Sequence, residues 1–425
     1  MKYIKICEDA YNLHIIKTNK FKMNMIRICF KNKYTKEDIA KRRLIPNVLF
    51  NSNKKYPSSR LMNIKREELY NLNFGGTVTP SGMSIISTFQ ASFISDKYAP
   101  SLLNNAIEFI SDILFNPQVS NKGFNESVFK MSKELLKEEI AVYNEEPNSC
   151  AMESVLAKMC PNTPIAYPLY GTIDEVNKIS NKDLYNTYND MINNDKVDIF
   201  IVGNVDDTVI SKIKDRFNVL KNKREKTEHY IAHTEFKNKY VTYKEVKPYN
   251  QSTLILGYKV EDLTDFERFY VMPIYTYILG GGPDSKLFKN VREKNSLCYS
   301  ISARFRNISN IILITSGINA SSYNKATKLI KEEVENMSLG NFTKTDIDKA
   351  KTVYLSVYDE LFDSIGGVME VYHNKEYLNI DLPSIKKRKI RKVTKKDIIS
   401  LSNKIHPEIV YLLEGSISNE ENISK

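Results

Sequence analysis

Histidine is scarce enough in this 425-residue chain, 5 in all, for each imidazole to be weighed as a possible ligand or base. His229 and His233 stand four apart, a spacing that puts two imidazoles on one helix face, but no carboxylate lies suitably between them. Their surroundings, Lys221–Lys239, are charged and weakly periodic, so a solvated connector is expected there. Glu370 and His373 have the E-x-x-H spacing of carboxylate-bridged metals, which need two copies where this chain has one; a surface helix pair is expected instead. His14 and His406 stand alone and read as structural. Nucleophile signatures are missing too: there is no G-x-S-x-G elbow, and Gly280–Lys286 (GGGPDSK) lacks the spacing that cradles phosphate. The five cysteines, Cys7, Cys29, Cys150, Cys160 and Cys298, are odd in number and form no C-x-x-C pair, which points to a reducing compartment and no cysteine zinc knuckle.

A carboxylate is the better clue. A helix over 125–144 would run its apolar stripe through Val128, Met131, Leu135 and Val142, and the next inward step falls on Glu138 or Glu139. Burying an acid is expensive without a partner, so this one is expected to pair with a buried Arg or Lys, to sit at the stripe edge, or to descend from a metal ligand.

The elements that must position such groups follow one α+β plan used twice. Each half opens on a strand, Met25–Lys31 and Thr253–Val260, and continues into a β-rich stretch, Val78–Ile94 and Leu297–Ile318. Helix pairs come next, Pro100–Phe115 with Asn125–Asn144 and Ser322–Met337 with Thr345–Asp363. A short closing strand ends each half near glycine, Asp198–Gly203 and Glu408–Gly415. Ser180–Leu184 (SNKDL) and Thr394–Ile398 (TKKDI) read as equivalent capped helix starts. The expected organisation is a domain over 1–220, a linker over 221–239 and a second domain over 240–425.

Leu279–Ser300 (LGGGPDSKLFKNVREKNSLCYS) resembles the C-terminal signature of the insulinase/pitrilysin family of zinc peptidases, the family of mitochondrial processing peptidase. In that signature a glycine-rich turn, a short helix, R-E-K and a Tyr follow in this order. Leu136–Pro147 (LKEEIAVYNEEP) is similar to the family's distal-glutamate helix, and Tyr167–Ser180 (YPLYGTIDEVNKIS) to its Gly-Thr turn. The resemblance implies duplicated insulinase-type domains, each a mainly antiparallel sheet packed with helices. Active members carry H-x-x-E-H, two imidazoles one turn apart around a proton-accepting glutamate. Here the corresponding stretch is Arg43–Phe50 (RLIPNVLF): Arg43 and Asn47 stand for the histidines and Pro46 for the glutamate. Arg offers a cation no lone pair, and Pro removes a backbone donor, so even the helix is in question. Glu139, aligned with the third zinc ligand, is left without companions, and Ser132 stands where active members often keep a second acid.

Arg292 and Tyr299 match the family's Arg and Tyr that grip the scissile region, with Arg292 expected near the end of a capped helix beginning at Asp284 or Ser285. Gly280, Gly281 and Gly282 would either admit a peptide backbone or merely make the turn. The resemblance implies no cofactor in this chain and no hydrolysis by it alone, with zinc in a partner subunit that carries H-x-x-E-H and a peptide, such as a leader peptide, as substrate. A stand-alone peptide-binding or scaffold protein is the alternative. Lys386–Lys396 (KKRKIRKVTKK) holds eight of the cations behind the net charge of +11 and leaves +3 without them, but no aromatic platform interleaves with it. A solvated face is expected there rather than a specific nucleic-acid site. The N-terminus lacks the apolar core of a signal peptide and no stretch is long and apolar enough to span a bilayer, so the cytoplasm is the expected location.

Overall fold

The computed structural model describes residues 1–220, 233 and 235–416, so His229 and most of the 221–239 connector lie outside the described residues. Two compact units result, each built on one sheet.

The first unit takes in residues 1–141, 168–220 and 360–378. Its sheet contains β1 (Lys2–Cys7), β2 (Tyr11–Lys17), β3 (Met23–Lys33), β4 (Asn73–Ser81) and β5 (Ser84–Ile94). A two-residue hairpin, β6 (Val119–Ser120) and β7 (Gly123–Phe124), stands apart, and β8 (Lys196–Gly203) returns to the main sheet. The order is β1-β2-β8-β3-β5-β4, antiparallel except where β2 lies beside β8. β3 and β8 are central and covered on both faces, which is why their sequences read as continuous apolar runs.

The second unit takes in 142–167, the described part of 233–359, and 379–416. It joins β9 (Val241–Lys247), β10 (Ser252–Val260), β11 (Cys298–Arg306), β12 (Ile311–Ile318) and β13 (Ile405–Gly415) in the order β11-β12-β10-β13-β9. Set beside β2-β8-β3-β5-β4 of the first unit, the order is the same, down to the single parallel pair: β2 with β8, β9 with β13. The duplication read from the sequence is thus a duplication of topology. Both capped helix starts form: the Ser180 hydroxyl accepts from the Asp183 amide at 3.1 Å, and Thr394 and Asp397 close a reciprocal capping box.

Neither unit is continuous in sequence, in contrast to a plain division at 220 and 240. The helix Pro147–Met159, from the first half of the chain, packs on β10 and β13. Its Ala151, Val155 and Met159 share a core with Ile255, Ile409 and Tyr411. The helix Ile365–Leu378, from the second half, packs on β8 and β3, the matching strands of the first unit.

A buried polar network holds the latter helix. Asp198, fully buried on β8, accepts from Tyr377 at 2.9 Å, from Asn12 at 2.8 Å and from His14 Nε2 at 3.3 Å, with Lys196 at 3.1 Å. Because a carboxylate only accepts, Nε2 of His14 carries the hydrogen, and Nδ1 shares a hydrogen bond with the Tyr3 hydroxyl at 2.9 Å. Burial would raise the Asp198 pKa, but His14, Lys196 and Asn12 together hold it well below the usual carboxylate range. His373 stacks on Tyr377 with ring centroids 4.5 Å apart, and burial, with Arg27 nearby, lowers its pKa to about 4.

A histidine that is neutral when folded but titrates near 6.5 when unfolded contributes stability that is fully present above 6.5 and lost as the pH falls toward 4. Urea unfolding at successive pH values should therefore show stability falling across that window, by up to about 1.4 kcal/mol per pH unit. His373→Phe should flatten the slope; an unchanged slope would show that His373 is not its source.

Candidate functional site

Pro46 was expected to compromise the helix that should carry a zinc motif; instead the helix Ile39–Leu49 runs through it. The Phe50 amide still reaches the Pro46 carbonyl at 3.0 Å, so only the bond that Pro cannot donate is forfeited. The ring is buried against β4, where a Cβ on Gly76 would lie 2.9 Å from that of Pro46. Arg43 donates through Nε to the Leu169 carbonyl at 3.1 Å and lies 4.7 Å over the Tyr170 ring. Its neighbour Arg42 is fully buried and makes a bidentate pair with buried Asp195. A guanidinium, a pyrrolidine and the amide of Asn47 are no donor set for zinc. The residues do not fit that metal, and no chemistry of this chain runs through it.

The helix carrying Glu139 corrects the expected stripe. Over Glu126–Glu145 the buried residues are Phe129, Ser132, Leu136 and Ile140, while Met131, Leu135 and Val142 are exposed. The inward face is therefore one position removed from the stripe expected through Val128, Met131, Leu135 and Val142, and Glu138 and Glu139 both face solvent. Neither needs a buried countercharge. Ser132 is buried, and its hydroxyl has no partner.

The histidines divide similarly. His233 Nε2 bonds the Ser309 carbonyl at 2.7 Å, and His406 meets Asn238 at 2.5 Å. Glu370 pairs with Arg27 at 2.5 Å, whereas His373 turns inward, so E-x-x-H is a partly buried packing device rather than the expected surface pair. His14, Asp198 and Glu376 offer oxygen and nitrogen atoms within 4.8 Å of one another. Both nitrogens of His14 are already engaged, Lys5 holds Glu376 at 2.7 Å, and Lys196 sits on Asp198. A cation there would displace existing partners and face two ammonium groups, so the cluster is a satisfied ionic network.

Arg292 and Tyr299, by contrast, line one cleft of about 330 Å³ with Ser296, Leu297, Cys298 and Asn319. Ser285 opens the helical segment, its hydroxyl accepting from the Phe288 amide at 3.4 Å, and Phe288–Glu293 then widens into a π-helical turn. Arg292 rides on that turn with its guanidinium 4.5 Å over the Phe288 ring. Tyr299 occupies a bulge: Cys298 pairs with Ile318 and Ser300 with Gly317, leaving Tyr299 as the extra residue. It is 61% exposed, and its hydroxyl donates to Asn319 Oδ1 at 3.4 Å. Burial pushes the Cys298 thiol up, only partly offset by Ser316 and Arg292, which keeps it a protonated wall rather than a nucleophile. Asn319 was missed from sequence; the Cys298–Ile318 register that places it beside Tyr299 was the signal available.

The glycines play unequal parts. A Cβ on Gly280 would lie 2.7 Å from the Ala303 backbone nitrogen and 3.0 Å from Leu287 Cδ1, and one on Gly281 would lie 2.5 Å from Tyr277 Cα. Gly282 alone is open, meeting only the Tyr277 ring at 3.7 Å or more. Within the basic run, Lys387 pairs with Asp359, Lys389 pairs with Asp381 at 2.5 Å, and Lys395 donates to the Phe342 carbonyl at 2.9 Å. Lys386 lies 5.1 Å over the Tyr358 ring. Much of the run is thus tied into its own unit.

Residues 178–354 match the family model described as peptidase M16 inactive domain. A relative from Bacillus subtilis, named probable inactive metalloprotease YmfF, is 28% identical over 421 residues, 97% of this chain and 98% of its own. A second, the uncharacterized zinc protease YmxG of the same organism, is 25% identical over 67% of this chain and 70% of its own. Among solved structures, a conserved protein from Enterococcus faecalis V583 superposes with a TM-score of 0.91 at 24% identity, covering 98% of this chain and 99% of that one. A peptidase M16 inactive domain from Pseudomonas fluorescens gives 0.79 at 14% identity, covering 98% and 99%.

Metal analysis of the purified chain should find no stoichiometric zinc; one tightly held zinc per chain would contradict the donor set described. Gly280→Ala should cost about 1–3 kcal/mol by overpacking. Gly282→Ala, with open space before it, should melt close to the parent, and equal losses in the two variants would refute the distinction.

Proposed function

Because the chain is a homologue of the insulinase/pitrilysin (M16) zinc peptidases without their zinc-binding motif, we propose that it is the non-catalytic subunit of a heterodimeric peptidase. One asymmetry carries the reading: the stretch that should bind zinc holds Arg43, Pro46 and Asn47, while Arg292 and Tyr299 remain together in one cleft. The name of the Bacillus relative, an inactive metalloprotease, supports it. The partner, carrying H-x-x-E-H, supplies zinc and the hydrolytic chemistry. This chain supplies grip.

Peptide hydrolysis builds negative charge on the scissile carbonyl oxygen as water adds to its carbon. A guanidinium and a phenolic hydroxyl aimed at that oxygen interact more strongly with the oxyanion than with the neutral amide, which is the condition for lowering a barrier. Arg292 is fixed by its stack on Phe288 and Tyr299 by its bulge, so little reorganisation is needed when the charge develops. Gly282 has the open side against which a peptide backbone could lie. The substrate is a peptide, leader peptides being the natural class. No helix among the described residues is long and apolar enough to cross a membrane.

The isolated chain should be inert, and co-expression with an H-x-x-E-H partner should yield a co-purifying complex that cleaves peptides. Within that complex Arg292→Ala or Tyr299→Phe should lower kcat by about 10²–10³-fold, the range for loss of one oxyanion donor. A complex with undiminished turnover in both variants would remove the role in trans. A chain that binds peptide but recruits no partner would favour the stand-alone binding protein.

A further inference from the structure

Arg292 has no acid partner among the described residues, in contrast to the two lysines that precede it in the segment. Lys286 takes Glu333 at 3.1 Å, and Lys289 takes Asp284 at 3.3 Å, with Lys349 on the same carboxylate at 3.0 Å. No carboxylate among the described residues comes within ion-pair distance of Arg292, whose guanidinium lies 4.5 Å over the Phe288 ring and lines the cleft. Across the cleft, the Tyr299 hydroxyl donates to Asn319 Oδ1 at 3.4 Å, a long bond that it would exchange for a ligand oxygen, while the Asn319 amide hydrogens have no partner among the described residues. The wall thus offers a planar charged fork, a neutral amide donor and the Tyr299 hydroxyl, with a second hydroxyl at Ser296.

That set matches a carboxylate. Its two oxygens accept several hydrogen bonds, and a guanidinium meets them in parallel, forming bonds roughly twice as strong as neutral ones. A neutral carbonyl uses only part of this capacity. The cleft, about 330 Å³, lies at the small-ligand end of binding-site volumes and suits a residue or two rather than a folded partner.

We propose that the cleft of Arg292, Tyr299 and Asn319 is a carboxylate-binding subsite for peptides. The proposal rests on the reading of this cleft as the peptide grip and adds the charge it selects. The carboxylate has two possible sources, the free end of a peptide or an acidic side chain. Hydrolysis leaves an α-carboxylate where the oxyanion stood, so the groups that steady the second would also hold the first, and the acyl product would be retained.

The test uses the full isolated chain and calorimetric titration with acetyl-Ala-Ala-Leu, its C-terminal amide, and acetyl-Ala-Asp-Leu amide. The free acid should bind saturably and at least about tenfold more tightly than the neutral amide, with the preference shrinking as salt is raised. If the Asp-containing amide matches the free acid, the carboxylate is a side chain; if it matches the neutral amide, the site reads the chain end. Arg292→Ala should abolish the preference and Asn319→Ala should weaken it severalfold. Both residues lie at a solvent-filled cleft, and unchanged melting of the variants confirms folding. Equal binding of acid and neutral amide, no saturable binding of either, or a preference surviving Arg292→Ala overturns the proposal. The two ideas fail separately. Loss of turnover in the Arg292→Ala complex, with acid and amide bound alike, removes the carboxylate subsite and keeps the grip in trans. The reverse pattern keeps the subsite and removes the catalytic role.

Discussion

There is no room for a side chain at residue 280, and the arrangement of the cleft depends on that. The helix Met272–Gly280 ends where its last Cα lies against the backbone of Ala303 on β11 and against Leu287, which precedes the turn carrying Arg292. One glycine thus brings together the two elements that present Arg292 and Tyr299. Regular geometry would still misdirect one of them. Along β11, Ile301 and Ala303 are buried and Ser300 and Arg304 are exposed, so strict alternation would send Tyr299 inward with the odd-numbered residues. The bulge between Cys298 and Ser300 shifts it to the exposed parity. The π-helical turn is the same device in a helix, one extra residue accommodated in the ladder, and it carries Arg292.

The helix Ile39–Leu49 of the first unit shows unusual residues taken up by packing. Pro46 fills the space over Gly76, Arg43 is engaged with Leu169 and Tyr170, and Arg42 commits its charge to Asp195. Arg43 and Pro46, two of the positions aligned with the family's motif, and the neighbouring Arg42 are all part of the helix's attachment to its surroundings. Exchanging Arg43 and Pro46 for zinc-binding side chains would disturb contacts that hold the helix as well as supply ligands, so chemistry and stability are not separable there. In the second unit they remain separable, because Arg292 and Tyr299 are exposed and bury little.

Much of this fold was legible in the sequence for a simple reason: both sheets keep their central strands covered, and long apolar runs with turn residues between them survive as pattern. β10 and both hairpins, β4–β5 and β11–β12, lie close to where alternation put them. What pattern could not show was set by tertiary context. Met131, Leu135 and Val142 look like a core stripe but are exposed, since Phe129, Leu136 and Ile140 are the residues with something to pack against. The placement of the helices Pro147–Met159 and Ile365–Leu378 on the unit built from the other half of the chain leaves no mark on local periodicity. Nor does the Asp198 network, whose members are scattered from Tyr3 to Tyr377. For the cleft, the resemblance supplied Arg292 and Tyr299, whereas Asn319 required the strand register.

Around the cleft stand a π-helical turn, a bulge at a sheet edge, a tyrosine 61% exposed and an arginine with no acid among the described residues, where the nearby Lys286 and Lys289 each have one. Each feature departs from what backbone hydrogen bonding and charge pairing favour locally, and all of them converge on one cleft. A second π-helical turn, Glu267–Val271, and a register shift at Gly257–Tyr258 do not line the cleft, so what sets the cleft apart is the coincidence of such irregularities with exposed polar side chains. The zinc stretch shows the opposite pattern, every unusual residue there having been folded into packing. The two halves of one duplicated plan thus differ: packing takes up the unusual residues of the first, while Arg292 and Tyr299 of the second stay exposed at a cleft.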